Sequence, residues 1–537
     1  MTPTGGAARE RPLPDVYIYD TTLRDGAARE GLSFSLEDKV KLLKRLDAFG
    51  MHYVEAGYPG SNPKDQELFD AASSLELKNT RLVAFGATRR ALTSASRDKE
   101  MKALVASGAP AVCIVGKTWD FHVKTALRVP LEENLFMIEE SVKYLKKKGL
   151  EVIFDAEHFF DGYKESPRYA LDSICAAARG GVDWIALCDT NGGTLPHEVA
   201  AIVRDVQSSV SVPLGIHCHN DCECAVANSL AAVREGARMV QGTINGYGER
   251  CGNANLCSVI PDLELKLNVD CISRDRLTGL TELSHYVSEV ANLIPDGHQP
   301  YVGPSAFTHK GGMHASAVKR EARTYEHIRP ELVGNIQRIV VSELSGKSTL
   351  TMKAGEMGID LSKQQPKLTD ILKEIKRLEQ VGYQFEAADG SFEILIRKAL
   401  GTHKQFFRLE SFRVIMEKRE DGSVMTEATV KIHVGGRRII ATGEGNGPVN
   451  ALDAAIRIAI GESFPALEDI ELTDYKVRVL DEKKGTAAVT RVLIETSDGE
   501  KSWGTIGVSE NIIEASWQAL VDSIEFGLMH KRQQPHE

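Results

Sequence analysis

Short apolar runs alternate with amphipathic stretches through the first half of the chain. The runs are Val16–Tyr19, Tyr53–Ala56, Arg81–Phe85, Ala111–Val115, Glu151–Phe154, Trp184–Leu187, Pro213–Ile216 and Met239–Thr243. Each is brief and rich in Val and Ile, the pattern of a parallel strand covered on both faces. The segments between them carry helical spacing. Val40, Leu42, Leu43, Leu46 and Phe49 line one face of a predicted helix. It opens on Ser35-Leu36-Glu37-Asp38, a capping-box-like start, and stops at Gly50. Leu195-Pro196-His197-Glu198 opens another helix, and Ala225 to Gly236 forms a third.

Eight strands alternating with helices over roughly 270 residues predict an α/β fold, a (β/α)₈ TIM barrel. A doubly wound open sheet shows the same alternation. The strand count favours the barrel, and so does the position of the polar residues. Nearly every run ends in a polar cluster: Asp20 to Asp25, Glu55-Ala56-Gly57, Thr88-Arg89-Arg90, Lys117, Asp155 to His158, Asp189-Thr190-Asn191, His217 to Asp221, and Asn245 to Asn253. Barrel active sites are built at those C-terminal ends.

The text changes after about Leu267 to mostly helical segments with turns, interrupted by a Gly/His/Lys-rich loop from Gly303 to Gly312. From Gly401 it changes again. Arg408–Glu417, Met425–Val434 and Ile439–Gly443 alternate like strands, and Val449–Ile460 is an Ala-rich amphipathic helix. The set recurs as Asp474–Leu480, Ala487–Thr496, Lys501–Val508 and the helix Glu510–Gly527, which predicts a duplicated α+β domain. The expected organisation is a flexible N-terminus (1–14), the barrel (15–285), helical linker subdomains (286–398), the α+β domain (399–530) and a short tail (531–537).

Composition narrows the class. The 537 residues are 42% hydrophobic and 26% charged, a globular balance with material for three or four domains. A net charge of −10 argues against a nucleic-acid-binding surface, while leaving room for a local basic pocket. Met1 to Asp15 lacks the apolar core of a secretory leader. No apolar run reaches the ~18 residues of a membrane span. The 9 cysteines, an odd number scattered through apolar text, read as reduced thiols of a cytoplasmic protein.

The candidate chemistry starts at His217-Cys218-His219. Side chains alternate along a strand, so the two histidines face one way and Cys218 the other. At the end of a barrel strand their shared direction is toward the axis, where two imidazoles make half a metal site. In isolation the same motif is also two ordinary histidines closing a strand. Asp25 closes the first strand and Asn253 follows the eighth. A closed barrel sets strand one beside eight and eight beside seven, so these four side chains converge. Two imidazoles, a carboxylate and an amide oxygen, with positions left open, suit octahedral Mg²⁺ or Mn²⁺, with Zn²⁺ less favoured. Such an ion chelates a 2-oxo acid and acts on its carbonyl as a Lewis acid. Arg24 is placed to hold a carbonyl oxygen as it gains charge, or to salt-bridge within the strand ends. Cys222 and Cys224 raise a thiolate site; with no second Cys-x-Cys they read as helix-start residues.

Asp20-Thr21-Thr22-Leu23-Arg24-Asp25-Gly26, His217-Cys218-His219-Asn220-Asp221 and Gly246-Tyr247-Gly248-Glu249-Arg250-Cys251-Gly252-Asn253 resemble the three signatures of the DRE-TIM metallolyase superfamily. Within it the chain resembles the 2-isopropylmalate, homocitrate and citramalate synthases, over nearly its whole length. Phe154 to Tyr163 and Thr324-Tyr325-Glu326-His327-Ile328 are most similar to the citramalate branch. The resemblance implies acetyl-CoA and pyruvate as substrates and a Claisen-type condensation followed by thioester hydrolysis. It implies Asp25, His217 and His219 as metal ligands, with Asn253 as ligand or close support. It gives Arg24 to the keto oxygen and the enolate, and Thr190 to the 2-oxo acid carboxylate. Glu157 and His314 become the acid–base pair, with Tyr325 orienting water or the thioester. The C-terminal domain becomes an allosteric dimer domain, in a homodimer or larger homo-oligomer, with isoleucine as feedback effector. The segment bearing His314 is expected to reach the partner's barrel. One position departs from the family. Many members carry Gln where this chain has Ala28, which removes an amide beside the site. The rival expectations are a 2-oxoisovalerate- or 2-oxoglutarate-using synthase, a hydroxymethylglutaryl-CoA lyase, and a non-catalytic amino-acid sensor.

Overall fold

Eight parallel strands close a barrel in the order β1 to β8 in the computed structural model, which describes residues 14–310, 312–340, 347–361, 365–385, 388–480 and 488–531. They are β1 (Tyr17–Asp20), β2 (Tyr53–Gly57), β3 (Arg81–Ala87), β4 (Ala111–Lys117), β5 (Glu151–Glu157), β6 (Trp184–Asp189), β7 (Leu214–Cys218) and β8 (Met239–Gly242). All eight predicted runs are strands. Several continue further than the apolar text does, β5 as far as Glu157 and β7 as far as Cys218, so their polar ends belong to the ladder itself. Pairing of β1 with β8 closes the ring.

Alternation divides each strand between two cores. Ile18, Val54, Val112, Phe154, Leu187, Ile216 and Val240 face outward and pack beneath the helices. Tyr19, Tyr53, Val83, Cys113, Ile153 and Met239 fill the interior. The first predicted helix runs Leu36–Phe49 with Ser35 and Asp38 forming the capping box and Gly50 in the left-handed conformation at φ 103. Leu42, Leu43 and Leu46 on its inner face are fully buried, each contributing about 1.5–3 kcal/mol.

The chain divides into two compact units, Met1–Phe307 with Ile328–Gln337, and Thr308–His327 with Arg338–Glu537. The second unit opens with two short parallel strands, β9 (Thr308–His309) and β10 (Arg338–Ile339), inside the stretch expected to be a loop and helices. Helices Lys347–Glu356, Gln365–Gln380 and Asp389–Leu400 follow. The predicted repeat is present. Antiparallel β11 (Arg408–Lys418), β12 (Val424–Val434) and β13 (Arg437–Gly445) lead to helix Pro448–Ile460. Antiparallel β14 (Glu471–Val479), β15 (Thr490–Ser497) and β16 (Ser502–Ser509) lead to helix Ile512–Lys531. Ala487, expected to start a strand, and Gly311 of the expected loop lie outside the described residues. All nine cysteines are free thiols. Among the described residues no helix is long and apolar enough to cross a membrane.

Candidate active site

The ends of β1, β7 and β8 are neighbours because the barrel pairs β1 with β8 and β8 with β7. His217 lies within β7, and His219, just beyond it, bridges Asn253. Cys218 between them is buried in the outer core, as strand alternation requires. The two imidazole Nε2 atoms are 3.3 Å apart. Asp25 Oδ2 lies 3.4 Å from His217 Nε2 and 3.9 Å from His219 Nε2. Two atoms bound at ~2.1 Å to one ion lie about 3 Å apart at a right angle, so these separations suit ligands of a common cation. Among the described residues, Asp25, His217 and His219 are the one buried triad whose ligand atoms all fall within 4.8 Å of one another.

Asn253 is carried on a loop that glycine permits. Gly252 has φ +91, and a Cβ there would meet Gly246 O at 2.0 Å. The fold-back lets Tyr247 O accept from Asn253 Nδ2 at 3.1 Å. The buried Asn253 Oδ1 and His219 Nδ1 have no hydrogen-bond partner. An orphaned amide oxygen beside two imidazoles and a carboxylate is a donor set that fits a divalent metal ion.

Arg24 is locked from three sides. Its Nε donates to Glu55 Oε1 at 2.5 Å, its Nη1 lies 3.3 Å from Asp25 Oδ1, and its Cζ stands 3.9 Å over the Phe85 ring. Glu55, fully buried on β2, also accepts from Thr21 Oγ1 at 2.7 Å and from the Tyr19 hydroxyl. Burial alone would raise the Asp25 pKa; the Arg24 guanidinium, then His217 and His219, outweigh it and hold the carboxyl below its ordinary value. Burial and the adjacent His217 push His219 down to about 4, so it stands neutral with a lone pair free at neutral pH.

Thr190 follows β6, and its Oγ1 accepts the His158 backbone N–H at 2.9 Å. Its carbonyl accepts from Arg250, whose guanidinium grips Asp221 with two bonds, tying the loops after β6, β7 and β8 together. Glu157 ends β5 and is ion-paired with Lys117 at the end of β4. His314 and Tyr325 belong to the second unit, where their rings stack at 3.9 Å. His309 Nε2 lies 3.1 Å from Glu326 Oε1 beside them. Cys224 caps the helix Ala225–Arg234, and Cys222 is exposed, so neither joins the triad.

Several neighbours of these groups were not anticipated. Trp119, His122 and His158 form an aromatic cluster at the ends of β4 and β5, with the His122 and His158 rings 4.1 Å apart. Gln241 and Asp155 lie directly beneath His217. The available signal for Gln241 was an amide inside an apolar run, Met239-Val240-Gln241-Gly242.

Residues 15–287 match the HMGL-like family, 301–382 the homocitrate synthase post-HMGL domain-like family, and 386–528 the LeuA allosteric (dimerisation) domain. The chain is 54% identical to the (R)-citramalate synthase of Geobacter sulfurreducens, over 97% of this chain and 98% of that one. It is also 54% identical to the (R)-citramalate synthase of Aquifex aeolicus, over 96% of this chain and 98% of that one. A probable 2-isopropylmalate synthase of Methanopyrus kandleri matches at 33%, over 95% of this chain and 98% of that one.

Proposed function

The chain belongs to the (R)-citramalate synthase family of the DRE-TIM metallolyases, and from that membership we propose that it condenses acetyl-CoA with pyruvate to give citramalate and CoA. The observation that carries this reading is the near full-length identity to proteins of that name, in a chain that keeps a buried Asp25–His217–His219 triad. The much lower identity to a protein named for 2-isopropylmalate counts against 2-oxoisovalerate as acceptor. The chain also extends far past the barrel, unlike a lyase built on the barrel alone.

In this reading Asp25, His217 and His219 hold a divalent ion, with Asn253 Oδ1 as a further donor. The mixed nitrogen and oxygen set favours Mg²⁺ or Mn²⁺. Bound there, the ion supplies Lewis-acid polarisation of a chelated 2-oxo acid. The protein's own groups do the rest. Arg24, held by Glu55, presents a fixed positive charge to an oxygen that becomes negative. Thr190 offers its hydroxyl hydrogen to the acceptor's carboxylate, its oxygen already taking the His158 N–H. Glu157 and His314 move the protons: one leaves the acetyl methyl as the carbon–carbon bond forms, and another is taken from water as the thioester is cleaved. Tyr325, stacked on His314, orients the water or the thioester.

The match to an allosteric dimerisation domain supports a homo-oligomer whose C-terminal domain senses the pathway's amino acid, isoleucine. Two glycine-rich turns, Gly443 to Pro448 and Gly504 to Ser509, lead from a strand toward a helix, and the one at Gly447 opens its helix with no side-chain cap. The helix after Ser509 begins with Asn511 Oδ1 already accepting the Ile513 and Glu514 N–H groups. The first turn is therefore the better carboxylate acceptor.

Thiol release from acetyl-CoA, measured in parallel with pyruvate, 2-oxobutyrate, 2-oxoisovalerate and 2-oxoglutarate, tests the reaction. Pyruvate should give the highest kcat/KM. Preference for 2-oxoisovalerate would replace the proposal with its neighbour, and no thiol release with any acceptor would leave the sensor reading.

A further inference from the structure

We infer that Gln241 and Asp155 are positioning residues that fix the tautomer of His217, and so decide which of its nitrogens faces the metal site. The inference rests on the metal reading above. His217 and Gln241 are register partners on β7 and β8, and Gln241 is fully buried. Its Oε1 lies 2.9 Å from His217 Nδ1, and its Nε2 donates to Asp155 Oδ1 at 2.8 Å. Asp155 projects from β5 and is 4% exposed.

The direction of this chain follows from what each group can do. A carboxylate only accepts, so the Gln241 end facing Asp155 is the NH₂. The amide oxygen is then turned toward His217, and the proton between them sits on Nδ1. That leaves Nε2 with its lone pair, pointing toward Asp25 Oδ2 and His219 Nε2. A metal ligand at Nε2 demands the same tautomer, so the two ends of the chain agree on one amide orientation. Flipping the amide would need both a protonated Asp155 and a His217 with its proton on Nε2, where a ligand atom is required. His219 has no such guide, since its Nδ1 has no partner. One imidazole of the pair is oriented from the barrel interior and the other only by its strand end and by Asp25. Outer partners of this kind change metal affinity by about 10–100-fold.

The test is Mn²⁺ affinity without substrates, read from the electron paramagnetic resonance signal of free Mn²⁺. Gln241→Met keeps the volume and removes both bonds; its Kd should rise about 10–100-fold. Gln241→Glu alone sets two carboxylates side by side and should also bind weakly. The double variant Asp155→Asn/Gln241→Glu reverses the order of amide and carboxylate. The amide introduced on β5 then donates to the carboxylate introduced on β8, which still accepts from His217 Nδ1, so affinity should return to within a few-fold of wild type. A merely structural role would not be rescued by this exchange. Wild-type affinity in a folded Gln241→Met chain overturns the inference. If that variant does not fold, a double variant binding no better than Gln241→Glu alone overturns it instead. Failure of the metal reading itself looks different: wild type would bind Mn²⁺ no better than His217→Ala.

Discussion

The barrel's strand ends and the second unit's sheets use the same charged residues in opposite ways. In the barrel, Asp20, Glu55 and Asp189 are fully buried and Asp25 and Asp155 nearly so. Hydrogen-bond donors surround the fully buried three: Thr22 on Asp20, Arg24 and Thr21 on Glu55, Thr194 on Asp189. In the sheets, Glu410 pairs with Arg438 and Asp474 with Lys476, both on open surface. Exposed pairs of this kind add little stability. A buried carboxylate costs several kcal/mol unless donors compensate it. The barrel thus keeps five acids out of water at or near its strand ends, where the second unit's sheets keep theirs exposed, and buried acids of this kind mark a candidate functional region.

The largest effect should come from emptying that arrangement. His217→Ala or His219→Ala should reduce turnover by at least ~10³-fold while circular dichroism stays native, because each removes a proposed metal ligand rather than a member of the hydrophobic core. Excess chelator should mimic either variant, and Mg²⁺ or Mn²⁺ should restore the wild type. Full activity in chelator would sink the metal assignment.

Next come the two residues proposed to transfer protons. Glu157→Gln and His314→Ala should each lower kcat by about 10²–10⁴-fold with little change in the pyruvate KM. Thr190→Ala should instead raise the pyruvate KM, by about 10-fold for one lost hydrogen bond to a charged group. The reverse pattern would show that binding and chemistry had been exchanged between these residues.

A smaller signal comes from mixing chains. Arg24→Ala and His314→Ala are each inactive by the reading above, with the lesions in different units. If the two halves of the site come from different subunits, exchanged heterodimers should each keep one intact site of two, about half of wild-type activity per heterodimer and about a quarter for a fully exchanged equimolar mixture. Verified subunit exchange with no recovery would mean that each chain completes its own site.

The barrel was legible in the sequence because each strand announces itself twice, as an apolar run and as the polar cluster that ends it. The triad was legible because closure of a barrel makes strands one, seven and eight neighbours whatever their separation in sequence. Gln241 was not legible. Its significance depends on register with His217 and on Asp155 reaching across the interior from β5, and neither is written in local spacing. A salt bridge of Arg24 within the strand ends was among the expectations, but its partner Glu55 was not named, for the same reason. The β9–β10 pair was missed because two-residue strands have no periodicity; pairing alone defines them. In the C-terminal domain the period-two text located all six strands, since one face of each sheet is buried against its helix and the other is not.

One acid of the second unit is buried as deeply as those of the barrel and gives the smallest expected effect. Glu525, on helix Ile512–Lys531, is 2% exposed, like the acids of the barrel, yet it belongs to none of the chemistry assigned above. Burial pushes its pKa up to about 7, Lys398 opposes that shift, and Asp522 on the same helix adds to it. His403 Nε2 lies 3.1 Å away, and the Phe406 N–H reaches its Oε1 at 3.4 Å. Burial, helped by Lys398 and Arg397, holds His403 below its ordinary value, so it supplies little positive charge near neutrality. The folded-state pKa of Glu525 is thus above the unfolded one. Its stability contribution is fully present below the ordinary glutamate range and is lost as pH rises through about 7. Glu525→Gln removes the charge and should flatten that loss. The variant should melt higher than wild type at pH 8, by on the order of 1–3 kcal/mol or a few degrees, and the gap should close by pH 5. Thermal melts of the full chain across that range measure it directly. A gap that stays constant with pH would show that Glu525 is ionised throughout, its burial offset by the groups around it.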